Sequence, residues 1–133
     1  MRFLHTMIRV TDLEQSKRFY CEGLGFTPVS ERRYEDGRFT LAFLRAPGDA
    51  EDGPMLELTH NWDTDRYERG DAYGHVAYAV RSIAEVQERL RRAGYELSWG
   101  PGKTPDGSRA MAFVDDPDGY EIELLEVRSG DRD

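Results

Sequence analysis

Apolar and polar positions alternate over residues 3–10 (Phe-Leu-His-Thr-Met-Ile-Arg-Val), which predicts a strand. Leu4, Thr6, Ile8 and Val10 then share one face, and Phe3, His5, Met7 and Arg9 the other. Asp12 with Gln15 three places on reads as a capping box. The helix it opens has Leu13, Phe19, Tyr20 and Leu24 as its buried stripe, interrupted by Ser16, and ends at Gly23-Leu24-Gly25. Strands are predicted over 26–33, 39–44 and 55–59. A hairpin turn at Glu35-Asp36-Gly37 joins the first two, an acidic loop spans 47–54, and residues 60–73 read as loop.

The pattern then restarts. Residues 75–80 read as a strand, Ser82 and Glu85 form a second capping box, and Ile83, Val86, Leu90 and Ala93 follow at helical spacing up to Gly94. Strands are predicted at 95–99, 110–114 and 120–127, separated by a Gly/Pro-rich loop (100–107) and the turn Asp115-Asp116-Pro117-Asp118-Gly119. The order is βαβββ twice: an α+β domain over residues 1–127, with repeats at about 1–62 and 73–127, followed by a polar, frayed tail at 128–133.

Composition narrows the partners. A net charge of −8 argues against nucleic acid, whose phosphates need clustered Lys and Arg. Uncharged apolar runs fall far short of the ~20 residues a membrane helix needs. The N-terminus carries no signal-peptide pattern, and a single cysteine, Cys21, agrees with a reducing cytoplasm. Cys21 is expected to be a buried, inert thiol. A small molecule or a second copy of the chain is the expected partner.

The repeat also carries chemistry. His5 and His75 open the two units, and each unit closes with a strand glutamate flanked by apolar residues: Glu57 between Leu56 and Leu58, Glu123 between Ile122 and Leu124. Such a glutamate projects from the face opposite the core, whereas Glu121 and Glu126 read as solvent-facing. Two imidazoles and two carboxylates suit a borderline divalent ion such as Zn²⁺, Ni²⁺, Co²⁺ or Fe²⁺. On the residue pattern alone, hydrogen-bonded structural histidines and a metal site both remain open.

Three segments carry a more specific signal. The opening His5-Thr6-Met7-Ile8-Arg9-Val10 with Asp12-Leu13 and Phe19-Tyr20 resembles the glyoxalase I (lactoylglutathione lyase) family of the vicinal oxygen chelate superfamily. So do Leu56-Glu57-Leu58-Thr59-His60-Asn61-Trp62 with Tyr73-Gly74-His75-Val76-Ala77, and the segment from Ala112 through Asp115-Asp116-Pro117-Asp118-Gly119-Tyr120 to Leu124. The resemblance spans residues 1–127.

It implies paired βαβββ modules forming a cupped mixed sheet, in a homodimer whose sites lie across the subunit interface. It implies four metal ligands, His5, Glu57, His75 and Glu123, and the isomerisation of the methylglyoxal–glutathione hemithioacetal to S-D-lactoylglutathione through an enediolate. Glu123 is the implied catalytic base, with Glu57 facing it. The short chain, without extra N-terminal segment, points by the same resemblance to Ni²⁺ or Co²⁺ over Zn²⁺.

Arg9 and Asn61 match glutathione contacts of the family, with Lys103 and Arg109 the nearest equivalents of its loop lysines. Its arginine before the second histidine is replaced by Asp71, with Arg69 two residues away. His60 is expected at the rim, and Phe43 and Phe113 are open to pocket lining or core packing. A related dioxygenase or epimerase is an alternative, as is a metal-free binding module; the complete ligand set favours the lyase.

Overall fold

The N-terminal alternation forms a strand in the computed structural model, which describes residues 1–128: β1 (His5–Arg9) buries Ile8 and leaves His5, Met7 and Arg9 exposed on the other face. The polar tail at 129–133 lies outside the described residues. The chain divides into two compact units, Met1–Glu68 and Arg69 onward, each with its own four-stranded mixed sheet.

The first unit continues through α1 (Leu13–Arg18), β2 (Thr27–Tyr34), β3 (Phe39–Arg45) and β4 (Met55–Asn61). Sheet order is β1-β4-β3-β2, with β1 parallel to β4 and the other pairs antiparallel. The second unit repeats the plan with β5 (His75–Val80), α2 (Ile83–Arg92), β6 (Trp99–Lys103), β7 (Ala110–Asp115) and β8 (Glu121–Glu126), ordered β5-β8-β7-β6 with β5 parallel to β8. The βαβββ repeat expected from the sequence is therefore present twice.

Both capping residues do what their side chains allow. Asp12 Oδ1 accepts from the Gln15 amide at 3.0 Å, and Ser82 Oγ from the Glu85 amide at 3.2 Å. In the first unit Ala42, Leu44, Leu56 and Leu58 face α1; in the second Ala112, Val114, Ile122 and Leu124 form the equivalent core layer. β2 is exposed on both faces; Glu31, Arg32, Arg33 and a bulge between Pro28 and Ser30 blunt it as a free edge.

Several expectations change. The first helix is not continuous to the glycines: after Arg18 it widens into a π-helical turn, Phe19–Gly23. The wider turn puts the consecutive rings of Phe19 and Tyr20 both into the core, at 0% and 2% exposure, and leaves Cys21 only half-buried. Burial still raises the Cys21 thiol above its ordinary pKa, so it remains a poor nucleophile at neutral pH. Ser16, the break in the apolar stripe, is buried too.

At the β2–β3 turn the positive φ falls on Arg38 (57°), not on Gly37. Arg38 is held there by Trp62, whose amide donates to the Arg38 carbonyl at 3.0 Å, and by Asp63, which takes both arms of the guanidinium at 2.7 and 2.9 Å.

β4 runs two residues past its expected end, to Asn61. The predicted strand at 95–99 is loop apart from Trp99, and β6 instead uses the Gly/Pro-rich stretch, pairing Trp99 with Phe113 and Gly102 with Met111 around an irregularity. Edge position tolerates the missing proline donor. Glu126 is part-buried and has a partner: its Oε2 accepts from the Ile83 amide at 3.0 Å and caps α2 from the neighbouring strand.

Candidate functional site

Parallel pairing of the first and last strands of each unit decides where the histidines lie. In the first unit β1 beside β4 sets Met7 opposite Glu57, so His5 and Glu57 share the face turned away from α1. His5 Nε2 lies 3.1 Å from Glu57 Oε2. Phe43, directly across β3 from Glu57, turns its ring edge-on to the imidazole at 5.5 Å. Glu57 is 9% exposed, and a carboxylate taken this far out of water requires a partner; His5 is that partner.

The second unit repeats the arrangement. β5 beside β8 sets Ala77 opposite Glu123, and His75 Nε2 lies 3.5 Å from Glu123 Oε2. Phe113, opposite Glu123 on β7, packs edge-on to His75 at 5.6 Å. Phe43 and Phe113 each follow their histidine by the same number of positions, a signal present in the sequence.

The structure thus brings the four predicted ligands together two and two, within each unit. Among the described residues no group of three or more His, Cys, Asp or Glu is arranged to hold a metal ion. Each pair offers one ring nitrogen and one carboxylate oxygen on a water-facing surface.

One group was missed from the sequence. Glu121, read as simply solvent-facing, stands on the same face as Glu123, with its Oε1 3.7 Å from His75 Nδ1. The period-two rule places residues 121 and 123 on one face, but only strand register shows that Glu121 is directly opposite His75.

The predicted substrate contacts separate. Arg9 is exposed on the face of His5. Asn61 lies on the face of Glu57 two alternations along β4, and its amide donates to Tyr67 Oη at 3.0 Å. Lys103 is exposed at the end of β6, and Arg109 is half-buried at the start of the loop's return. Between them Asp106 closes the loop by accepting from Thr104 and Ser108, which hold its carboxyl down at about 2.

Arg69, the stand-in for the unmatched arginine, is occupied: its guanidinium donates to the Gly119 carbonyl and sits 5.6 Å over the Tyr120 ring. It ties the segment before His75 to the Asp-Pro-Asp-Gly turn, whose Asp116 Oδ1 accepts from the amides of Asp118 and Tyr120 at 2.9 Å each. Gly119 has φ 86°, and an added Cβ would meet the Arg69 guanidinium at 2.7 Å. Gly119→Ala is therefore expected to cost about 1–3 kcal/mol in denaturant unfolding. A loss within 0.3 kcal/mol, as an order-of-magnitude bound for a strain-free site, would remove this account of the turn.

His60 is not at the rim of the ligand face. Its register partner is Thr40, so it projects to the α1 side of the sheet. There, with Asp12, Glu31, Arg33 and Trp62, it lines an open cleft of ≈ 460 Å³. That cleft contains none of the four ligands; the His–Glu pairs on the opposite face carry the candidate chemistry.

Comparison with known proteins gives the family. Residues 2–124 match the profile of the Glyoxalase/Bleomycin resistance protein/Dioxygenase superfamily. The lactoylglutathione lyase of Neisseria meningitidis serogroup A is 49% identical over 131 residues, covering 98% of this chain and 94% of the relative. The crystal structure of the trypanothione-dependent glyoxalase I of Leishmania major superposes with a TM-score of 0.79 at 39% identity, covering 95% of this chain and 86% of that one. Glyoxalase I from Zea mays gives 0.87 at 34% identity over 95% of this chain, which spans only 44% of the maize chain. Matched over nearly its whole length, the chain belongs to the Glyoxalase/Bleomycin resistance protein/Dioxygenase superfamily.

Proposed function

We infer that the chain is a lactoylglutathione lyase, converting the hemithioacetal of methylglyoxal and glutathione to S-D-lactoylglutathione. The observation that carries this reading is the paired geometry of His5 with Glu57 and His75 with Glu123, in the same strand register of both units. Full-length similarity to curated lactoylglutathione lyases supports the substrate.

The donor set fits a divalent metal ion. Two imidazole nitrogens and two carboxylate oxygens satisfy a borderline ion, and the buried Glu57 side chain already lies 3.1 Å from His5. His5, Glu57, His75 and Glu123 would hold it, and Ni²⁺ or Co²⁺ is favoured over Zn²⁺. When bound, the ion supplies Lewis-acid charge beside the substrate's two oxygens. Following the resemblance to glyoxalase I, we place the complete site at the interface of a homodimer, each subunit giving half the ligands. No helix among the described residues is long and apolar enough to cross a membrane, and the single cysteine suits a cytoplasmic enzyme.

The protein's own groups move the proton. Glu123 removes it from the carbon bearing sulfur and returns it to the adjacent carbon as the substrate passes through its enediolate. Glu57, held closer to its histidine, is the second carboxylate of the site. Arg9 and Asn61 lie on the face of His5 and Glu57, where they would meet glutathione carboxylates and amides, and Lys103 and Arg109 are the loop's candidates for the same role.

Thioester formation from methylglyoxal and glutathione, followed after loading with Ni²⁺, Co²⁺ or Zn²⁺ in turn, tests the reading. Activity with at least one ion, abolished by chelator and restored by the same ion, is expected. Inactivity with all three would overturn it.

A further inference from the structure

The side chain of Asn61 is held in place by the loop that follows it. Asn61 ends β4, and the chain then turns back: the Thr64 amide donates to the Asn61 carbonyl at 3.1 Å, and Trp62 Nε1 to Thr40 Oγ1 at 2.8 Å. The turn returns Tyr67, six residues on, to the asparagine, whose Nδ2 donates to Tyr67 Oη at 3.0 Å. That bond is part-buried. Tyr67 itself is half-buried, while its neighbours Asp65, Arg66 and Glu68 are exposed.

The turn closes through its backbone and indole bonds without the phenol, so the hydroxyl acts on the amide rather than on the fold. A primary amide can exchange the places of its oxygen and nitrogen by rotation, but with one N–H engaged that rotation loses a hydrogen bond. The second N–H and the carbonyl oxygen of Asn61 then have fixed places, on the face shared with Glu57 and Thr59. Arg9, the register partner of Thr59, lies on the neighbouring strand at the same end of that face. A cation, a donor and an acceptor side by side suit the carboxylates and amides of a peptide; a thiol without them gains nothing there.

We propose that Tyr67 is a positioning residue for the thiol cosubstrate: its hydroxyl orients the Asn61 amide toward the peptide groups of that thiol. The inference rests on the lyase reading and adds the residue that enforces a peptide thiol at this end of the ligand face. The contact is remote from the reacting carbons, so it serves ground state and transition state alike.

Tyr67→Phe keeps the ring and removes the hydroxyl. In the Ni²⁺-loaded enzyme it is expected to raise KM for the methylglyoxal–glutathione hemithioacetal about 3- to 10-fold, with kcat within about twofold of wild type. Calorimetric titration with S-methylglutathione should show the same loss of affinity, and the Asn61 side-chain ¹⁵N–¹H resonances of the metal-free protein should shift. Asn61→Ala alone should lose at least as much, and Tyr67→Phe added to it should cost less than about twofold more, because the tyrosine acts through the amide. A KM within about 1.5-fold of wild type, a fall in kcat instead, or full losses that multiply in the double variant would overturn the proposal. The lyase reading fails separately. A wild type that forms no thioester, yet binds S-methylglutathione in a Tyr67-dependent way, refutes that reading and leaves the proposal standing; a wild type that binds no S-methylglutathione overturns the proposal whatever its activity.

Discussion

Glu123→Gln is expected to lower kcat about 10²- to 10⁴-fold, the range by which a positioned base contributes to proton transfer. Glutamine keeps the size of the side chain and one acceptor oxygen, but it cannot take a proton from carbon. The effect should be confined to turnover, because Glu123 lies on the water-facing side of β8 while Ile122 and Leu124 make the core contacts. The assignment to Glu123 over Glu57 is the one the family resemblance implies, and their surroundings are compatible with it. Glu57 sits 3.1 Å from His5 and is the more buried, whereas Glu123 stands 3.5 Å from His75 with more of its side chain exposed. The looser carboxylate is the one free to leave its partner and reach a substrate carbon.

Because Glu123 is also an expected ligand, metal content must be measured beside the rate. A variant with full metal occupancy and normal unfolding but greatly reduced kcat identifies the base. A kcat within tenfold of wild type at full occupancy would transfer the role elsewhere, Glu57 being the next candidate.

Much of this site was legible in the sequence because repetition supplied what a single motif lacked. Each histidine lies at the head of a period-two strand, each glutamate in an apolar strand at the close of its unit, and the same order recurs. What the sequence could not supply was register and long-range capture. Glu121 differs from any exposed strand glutamate only in lying opposite His75. Arg69 looked like free positive charge until the fold set it against a carbonyl 50 residues away. Glu126 was indistinguishable from a solvated residue until β8 ran past the start of α2.

The fold shows the same division. Capping boxes were readable because they are local, each one side chain and an amide three residues on. β6 was not, since prolines and glycines argue against a strand until an edge position removes the need for every ladder bond. His60 shifted faces for a related reason: extending β4 by two residues brings it under the alternation rule, and its parity with Leu58 then sends it to the core side.

The widened turn after α1 is the departure with the largest energetic consequence. Phe19→Ala is expected to cost about 3–5 kcal/mol, a large share of the ~5–15 kcal/mol by which such domains are stable. The Phe19 ring is fully buried, edge-on to Tyr20 at 5.0 Å, and Tyr20 in turn meets Phe26 at 5.4 Å. Truncation leaves a hole that the surroundings cannot close, because the backbone around it is pinned. Leu24 N–H donates to the Phe19 carbonyl at 3.1 Å, Gly25 N–H to Cys21 at 3.1 Å and Phe26 N–H to Tyr20 at 2.9 Å. With these bonds in place the cost should fall in the upper part of that range. In denaturant the midpoint should drop with an unchanged slope, the mark of lost stability without a changed unfolded state. α1 packs on β4, whose opposite face presents Glu57, so the chemistry lies one sheet thickness from the cavity. Below its unfolding transition the variant should therefore turn over substrate at close to the wild-type rate. A loss under about 1 kcal/mol would mean that the turn re-forms as a regular helix around the gap and that the two rings are not jointly required.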